Sequence, residues 1–337
     1  VTNVNDILAK LDKKTQSRLR RGSEIELTRF ETASTGLNRA LGGGFGHGRQ
    51  SLVYGSKSAG KSSVLLESIG MGQKKGLSCA WIDAEGSYDK EWAERLGVNT
   101  DELIVSRDKS IHDMISTGSD LLVNGIDVLV VDSISALIPS TYFEKNDELG
   151  DGLDKTKQIG AHSKELGIAF NKFNYLNENT ALIFISQQRN KFNSFGGASL
   201  KPQGGESIMF FSSTVVKLWA SASDGEQKKK DFVLGDSIIQ QPVGREVTYT
   251  VEFNKIGPPS SSGKYDFYYR GDHVGIDRYG EVADLSLDAG FVTKSGAWFK
   301  FEIDGQEFKL QGRDSFVNAI KENEAVREYL FDKVENV

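Results

Sequence analysis

The chain has 337 residues, 41 basic and 47 acidic side chains, and a formal net charge of −6. That length supports a full hydrophobic core without disulfides or structural metals, and the acidic balance excludes a protein that coats nucleic acid by bulk positive charge. A single cysteine, Cys79, and four scattered histidines (His47, His112, His162 and His273) exclude a disulfide framework and a zinc-type ligand cluster.

Residues 1–30 read as an N-terminal oligomerisation segment. Val4, Ile7, Leu8 and Leu11 fall on one face of a short helix, which is too short to bury that face alone. It must dock on its own core or on a neighbouring subunit. A basic patch follows at Arg18, Arg20 and Arg21, and Ile25 and Leu27 alternate with Glu as in a short half-buried strand. The opening residues Val1–Asp6 lack the charged-then-apolar pattern of a signal peptide, and no apolar run reaches the roughly 18 residues of a membrane helix. With one cysteine, a cytoplasmic setting is expected.

From 31 to 270 the pattern is α/β. Apolar runs at 51–54, 79–82, 128–131 and 181–185 suit buried strands, with helical spacing between them. This alternation predicts a mostly parallel sheet covered on both faces. Strands at 214–220, 247–254 and 265–269 come closer together and predict an antiparallel extension. Residues 271–337 read as a small C-terminal α+β domain, with a hairpin over 298–310 turning at Asp304-Gly305 and two helices at the end.

The strongest motif is Gly55-Ser56-Lys57-Ser58-Ala59-Gly60-Lys61-Ser62, a full G-x-x-x-x-G-K-[ST] phosphate loop followed by Ser63. It stands after a predicted strand and before a predicted helix, as the mechanism requires. Its glycines let backbone N–H groups curl around phosphate, Lys61 reaches the β/γ-phosphates, and Ser62 is a Mg²⁺ ligand. Asp132 ends the strand 128–131, where open α/β sheets bind ligands, and is the second metal residue. Ile82-Asp83-Ala84-Glu85 ends another strand. Hydrolysis needs a carboxylate on the attacking water, and Asp83 and Glu85 both qualify by position. Gln187 closes the strand 181–185, where an amide can sense a γ-phosphate.

The stretch 190–205 reads as a long structureless loop of Gly, Phe and Lys, with Arg189 just before it. Basic and apolar groups on such a loop suit a nucleic-acid backbone and exposed bases. The candidate contacts are Arg189, Asn190, Lys191, Phe192, Phe195, Lys201, Gly204 and Gly205. A second loop, 140–154, is more acidic and the weaker candidate.

Taken together, these residues resemble the RecA family of recombinases from about Thr32 to Val334. The resemblance rests on Ser34–Leu37, the phosphate loop, Ile82–Glu85, Val130–Ser133, Phe184–Gln187, Asn254–Ile256 and Gly290–Phe299. Gly275–Asp277 and Gly290–Val292 are also similar to phage UvsX-type recombinases. The resemblance implies a RecA-like ATPase core, the small C-terminal domain without its acidic tail, and an N-terminal segment that packs on the next subunit. It implies that Glu85 rather than Asp83 activates water, that Gln187 senses the γ-phosphate, and that Asp89 and Trp92 hold adenine. It implies that 190–205 and 140–154 are DNA loops. Lys255 matches a lysine that reaches the neighbour's ATP, but Phe253 stands where a second lysine belongs, so slower or less DNA-dependent hydrolysis is expected. Met209, His162 and Ala169 also replace basic residues.

The reading is an ATP-dependent DNA recombinase. It uses ATP and Mg²⁺, forms a helical filament on single-stranded DNA, pairs it with duplex DNA, and is helped by loading proteins. The alternatives are a hexameric helicase or translocase on the same core, and a regulatory ATPase without strand exchange.

Overall fold

The computed structural model describes residues 3–139, 160–192, 198–203, 206–220, 227–234, 237–271 and 273–336. The N-terminal segment carries two short helices, α1 (Val4–Ala9) and α2 (Lys13–Gln16), capped by Asn3 and Asp12. Neither buries a residue, and Val4, Ile7, Leu19 and Ile25 are exposed. The strand expected around Ile25 and Leu27 does not form. A 3₁₀ turn at Gly22–Glu24 precedes Ile25, and pairing starts only at β1 (Arg29–Phe30), against β2 (Phe45–Gly46). Alternating Ile and Leu had no sheet to join there.

The centre is a large mixed sheet. Its parallel part runs β9 (Thr214–Trp219), β3 (Arg49–Gly55), β7 (Ala181–Phe192), β6 (Val128–Asp132), β4 (Cys79–Asp83) and β5 (Leu103–Ser106). The side chains alternate strictly. Val53, Trp81, Val130 and Ile183 enter one core cluster, while Leu52, Ile82, Val131 and Phe184 enter the other. Burial on both faces is what the unbroken apolar runs required. Helices α3 (Thr35–Leu41) and α4 (Lys61–Lys74) cover the first face, and α6 (Ile111–Val123) and α7 (Ala161–Leu176) the second.

β9, expected within the antiparallel extension, instead runs parallel to β3 and is itself the seam: β11 (Ser237–Asn254) pairs antiparallel to its other edge. Then follow β12 (Ser261–Tyr268) and β13 (Gly275–Ile276). β10 (Gln227–Leu234), which the sequence pattern did not suggest, pairs with the first half of β11. β9 ends at Trp219 opposite Thr248, so the earlier residues of β11 overhang the carboxyl end of the parallel strands.

The last residues form a separate apolar cluster from a three-stranded antiparallel sheet and three helices, Arg278–Asp288, Arg313–Glu322 and Glu324–Glu335. The hairpin turns where expected, with Asp304 at φ 50° and Gly305 at φ 83°. No helix among the described residues is long and apolar enough to cross a membrane.

Two carboxylates, Glu281 buried and Glu67 half-buried, join this module to the rest. Glu281 accepts from the Ser34 hydroxyl (2.5 Å) and from the backbone N–H groups of Thr35 (2.9 Å) and Gly36 (3.1 Å), at the start of α3. Glu67, on α4, accepts from the backbone N–H of Ile276 at 3.0 Å. Burial pushes both pKa values up to about 7, although the hydrogen bonds oppose it.

Two outcomes are expected. Glu281→Ala leaves three buried donors unpaired and should cost roughly 3 kcal/mol in urea unfolding. A carboxyl whose pKa rises on folding stabilises the fold below its ordinary value of 4.5 and loses that contribution as pH climbs through about 7. Wild-type stability should therefore fall between about pH 5 and pH 8, and the Glu67→Gln/Glu281→Gln pair should flatten that slope.

Candidate nucleotide site

The site lies where β3, β6 and β4 end beside Gln187 of β7, which runs on past them. Gly55 is opposite Gln187, and Asp83 is opposite Asp132. These registers bring the phosphate loop, the amide and the carboxylates to one edge. They line a cleft of about 380 Å³ with Lys57–Ser63, Glu85, Trp92, Asp132 and Gln187.

The loop needs its first glycine for space. A Cβ on Gly55 would lie 1.7 Å from the Leu218 carbonyl oxygen of β9. At the other end, Gly60 takes φ 83° and α4 begins without a side-chain cap, leaving its first N–H groups directed at the loop. The Lys61 ammonium donates to the Ser56 carbonyl at 2.8 Å. Burial pulls its pKa below the ordinary value, with Asp132 and Glu85 opposing. The buried Ser56 hydroxyl has no hydrogen-bond partner among the described residues.

The Ser62 hydroxyl donates to Asp132 Oδ2 at 2.6 Å. Burial, with Glu85 and Asp83 adding to it, pushes the Asp132 carboxyl up to about 6, against the Ser62 hydrogen bond and Lys61. Among the described residues, no group of three or more His, Cys, Asp or Glu side chains gathers as a metal site. A Ser–Asp pair is nevertheless the donor set that Mg²⁺ takes beside substrate phosphates, since the ion keeps several waters.

The two candidate water-activating carboxylates separate. Asp83 is fully buried and accepts from the backbone N–H groups of Ser87 (2.9 Å) and Tyr88 (3.1 Å), shaping the loop beyond β4. Glu85 faces the cleft. Its Oε1 accepts from the Ser133 hydroxyl (2.6 Å) and the Gln187 amide (2.9 Å). The Gln187 backbone N–H donates to the Ser135 hydroxyl at 3.0 Å.

Trp92 lines the cleft, and its indole N–H donates to the Ser63 hydroxyl at 3.3 Å. Asp89 does not line it. Its carboxylate caps the helix Lys90–Arg95 by accepting from the Trp92 N–H at 2.7 Å. Lys255 lies away from the cleft, donating to the Phe210 carbonyl at 3.0 Å, with its ammonium 5.3 Å from the Phe253 ring centroid.

Within the stretch 190–205, the described residues 190–192 and 198–202 form strands where a structureless loop was expected. β7 continues through Arg189, Asn190, Lys191 and Phe192, and pairs antiparallel with β8 (Ala198–Pro202). Lys201 stands opposite Arg189. Phe195, Gly204 and Gly205 lie outside the described residues, as do 140–154.

Five lining residues were not among the site candidates read from the sequence: Ile185, Arg245, Val247, Phe267 and Tyr269. The last four come from the overhang of β11, β12 and the residue after β12, which carry no motif. The aromatic run at 265–269 was the available signal, but it reads as a strand core.

Comparison with known proteins places this geometry in a lineage. Residues 2–273 match the RecA N-terminal domain, and residues 280–337 match the RecA C-terminal domain. The chain is 34% identical over 318 residues to Protein RecA of Rhodospirillum centenum, covering 93% of this chain and 82% of that protein. It is 33% identical over 314 residues to Protein RecA of Azospirillum lipoferum, covering 92% and 80%. Protein RecA of Nitratidesulfovibrio vulgaris is 33% identical over 318 residues, covering 93% and 82%. Two recombinase domains in tandem favour that reading over a hexameric translocase or a regulatory ATPase, and the chain belongs to the RecA family, the ATP-dependent DNA recombinases.

Proposed function

We propose that this recombinase binds ATP in the cleft at the carboxyl edge of β3 and uses hydrolysis there to control its grip on DNA. The observation that carries the reading is the hydrogen bond from Gln187 to Glu85, because Gln187 lies on the strand that continues into the β7–β8 hairpin. In this reading Gly55–Ser63 cradle the phosphates, the N–H groups opening α4 add their partial positive charge, and Lys61 meets the β/γ-phosphates. Trp92 offers a flat face to adenine, and Asp89 orients it through the helix cap. Ser62 and Asp132 hold Mg²⁺, which neutralises phosphate charge when bound.

Glu85 orients the attacking water and takes its proton. The Ser133 hydroxyl fixes one carboxylate oxygen for that task. Gln187 senses the γ-phosphate because the phosphate oxygens compete with Glu85 for its amide. Moving that amide moves the end of β7, and with it Arg189, Asn190, Lys191, Phe192 and the paired Lys201. These residues, with Phe195, Gly204 and Gly205, contact single-stranded DNA through phosphates and stacked bases. A switch that starts at the γ-phosphate and ends at a DNA-binding segment is a known repertoire.

Residues 1–30 serve oligomerisation, 31–270 form the ATPase and DNA-binding core, and 271–337 the C-terminal domain. The exposed apolar face of α1 supports docking on a neighbour in a helical filament, a head-to-tail contact that does not close. Lys255 reaches the neighbour's ATP, with Phe253 supplying a ring in place of a second charge. Duplex DNA and loading proteins are the further partners. The lone buried Cys79 thiol, pushed up to about 12 by burial, suits a cytoplasmic protein.

ATP hydrolysis measured with and without single-stranded DNA tests the reading. Stimulation by DNA is expected, with Lys61→Ala losing nucleotide-dependent DNA binding. Glu85→Gln should keep DNA binding while slowing turnover by about 100-fold or more; turnover at the wild-type rate would remove Glu85 from the water. Gly55→Ala, which drives a methyl into the Leu218 carbonyl, should cost roughly 1–3 kcal/mol in stability and abolish nucleotide binding.

A further inference from the structure

Arg245 has no part in the mechanism above, yet it reaches the cleft from outside the parallel strands. It stands on β11 beside Gly244, opposite Phe267 of β12, in the overhang past the end of β9. Its guanidinium donates to the carbonyl of Ser58, in the middle of the phosphate loop, at 3.1 Å. Its Cζ lies 5.6 Å from the Tyr269 ring centroid, within cation–π range. No carboxylate among the described residues forms an ion pair with it.

A guanidinium has five N–H donors. One is spent on Ser58, and the Tyr269 ring flanks the group at cation–π distance. The other donors are left at the wall of a cleft built for a polyanion. Half of the arginine's setting is therefore preorganised before a ligand arrives, which lowers the entropy cost of using it.

We propose that Arg245 is a nucleotide-positioning residue: its guanidinium, flanked by Tyr269 and anchored on Ser58, donates to the phosphate chain of the bound nucleotide from a wall other than the one that carries Lys61. The proposal rests on the phosphate loop being the ATP site. It makes the β10–β11 hairpin part of that site. Arg245 lies at the root of the hairpin, with β10 ending its pairing at this residue through Gln227.

The test is equilibrium titration of the full-length protein with fluorescent ATP and ADP derivatives, without DNA, alongside thermal melts without nucleotide. Arg245→Ala is expected to weaken both nucleotides about 10-fold, as loss of a charge-assisted hydrogen bond does. Arg245→Lys should recover part of that affinity. Arg245→Gln keeps a donor for the Ser58 carbonyl without the charge, and should bind as weakly as the alanine variant. Melting temperatures within about 2 °C of wild type would set these losses apart from misfolding. Wild-type affinity in Arg245→Gln would reduce the arginine to a prop for the loop and overturn the proposal, as would affinity within about twofold in Arg245→Ala. Lys61→Ala separates the two levels. If it loses binding while Arg245→Ala does not, the phosphate site stands and the proposal falls. If it binds normally, the site assignment itself falls.

Discussion

Four parallel strands that reach the same edge of one sheet hold the chemistry of this molecule in place. β3 delivers the phosphate loop, β7 the amide, β6 the acid of the Ser62–Asp132 pair, and β4 the turn that carries Glu85. Parallel pairing fixes these ends against one another through the backbone. A slip of one residue would turn every side chain to the other face, moving Val53 and Ile183 into the layer that Leu52 and Phe184 fill. The apolar layers on both faces forbid that slip, so the core positions the polar edge.

The helix after the phosphate loop extends this constraint to the C-terminal module. α4 begins at Lys61, and one and a half turns later presents Glu67 to the backbone of Ile276. Just beyond Ile276, Glu281 takes three donors at the start of α3. The same rigid element therefore touches the phosphate loop at one end and the module's entry strand along its side. Both contacts use carboxyls, one buried and one half-buried, whose neutral forms desolvation favours.

Much of this was legible in the sequence because the signals were local. The phosphate loop, the apolar strands and the Asp304-Gly305 turn each rest on residues adjacent in the chain. Glu85 and Asp83 could not be told apart by position, since both follow β4. Only the fold turns Asp83 inward onto Ser87 and Tyr88 and leaves Glu85 on Ser133 and Gln187. Asp89 looked like a ligand contact and is a helix cap, a role the same residue type fills equally well. Ile25 and Leu27 had strand-like alternation but no partner strand. The overhang bearing Arg245 and Tyr269 was illegible for a different reason: it depends on how far β11 outruns β9, a long-range register that no local pattern encodes.

β7 has a mechanical consequence. It runs unbroken from Ala181, deep between β3 and β6, through Gln187 to Phe192, a span of roughly 40 Å. A strand clamped on both sides over Ala181–Phe184, and by β3 alone as far as Gln187, behaves as a cantilever. A displacement at Gln187 does not have to be relayed by melting and refolding the base of the hairpin; it becomes a tilt, and the tilt grows with distance from the clamp. In the proposed switch Phe192, at the far end of β7, therefore moves farther than the Gln187 amide.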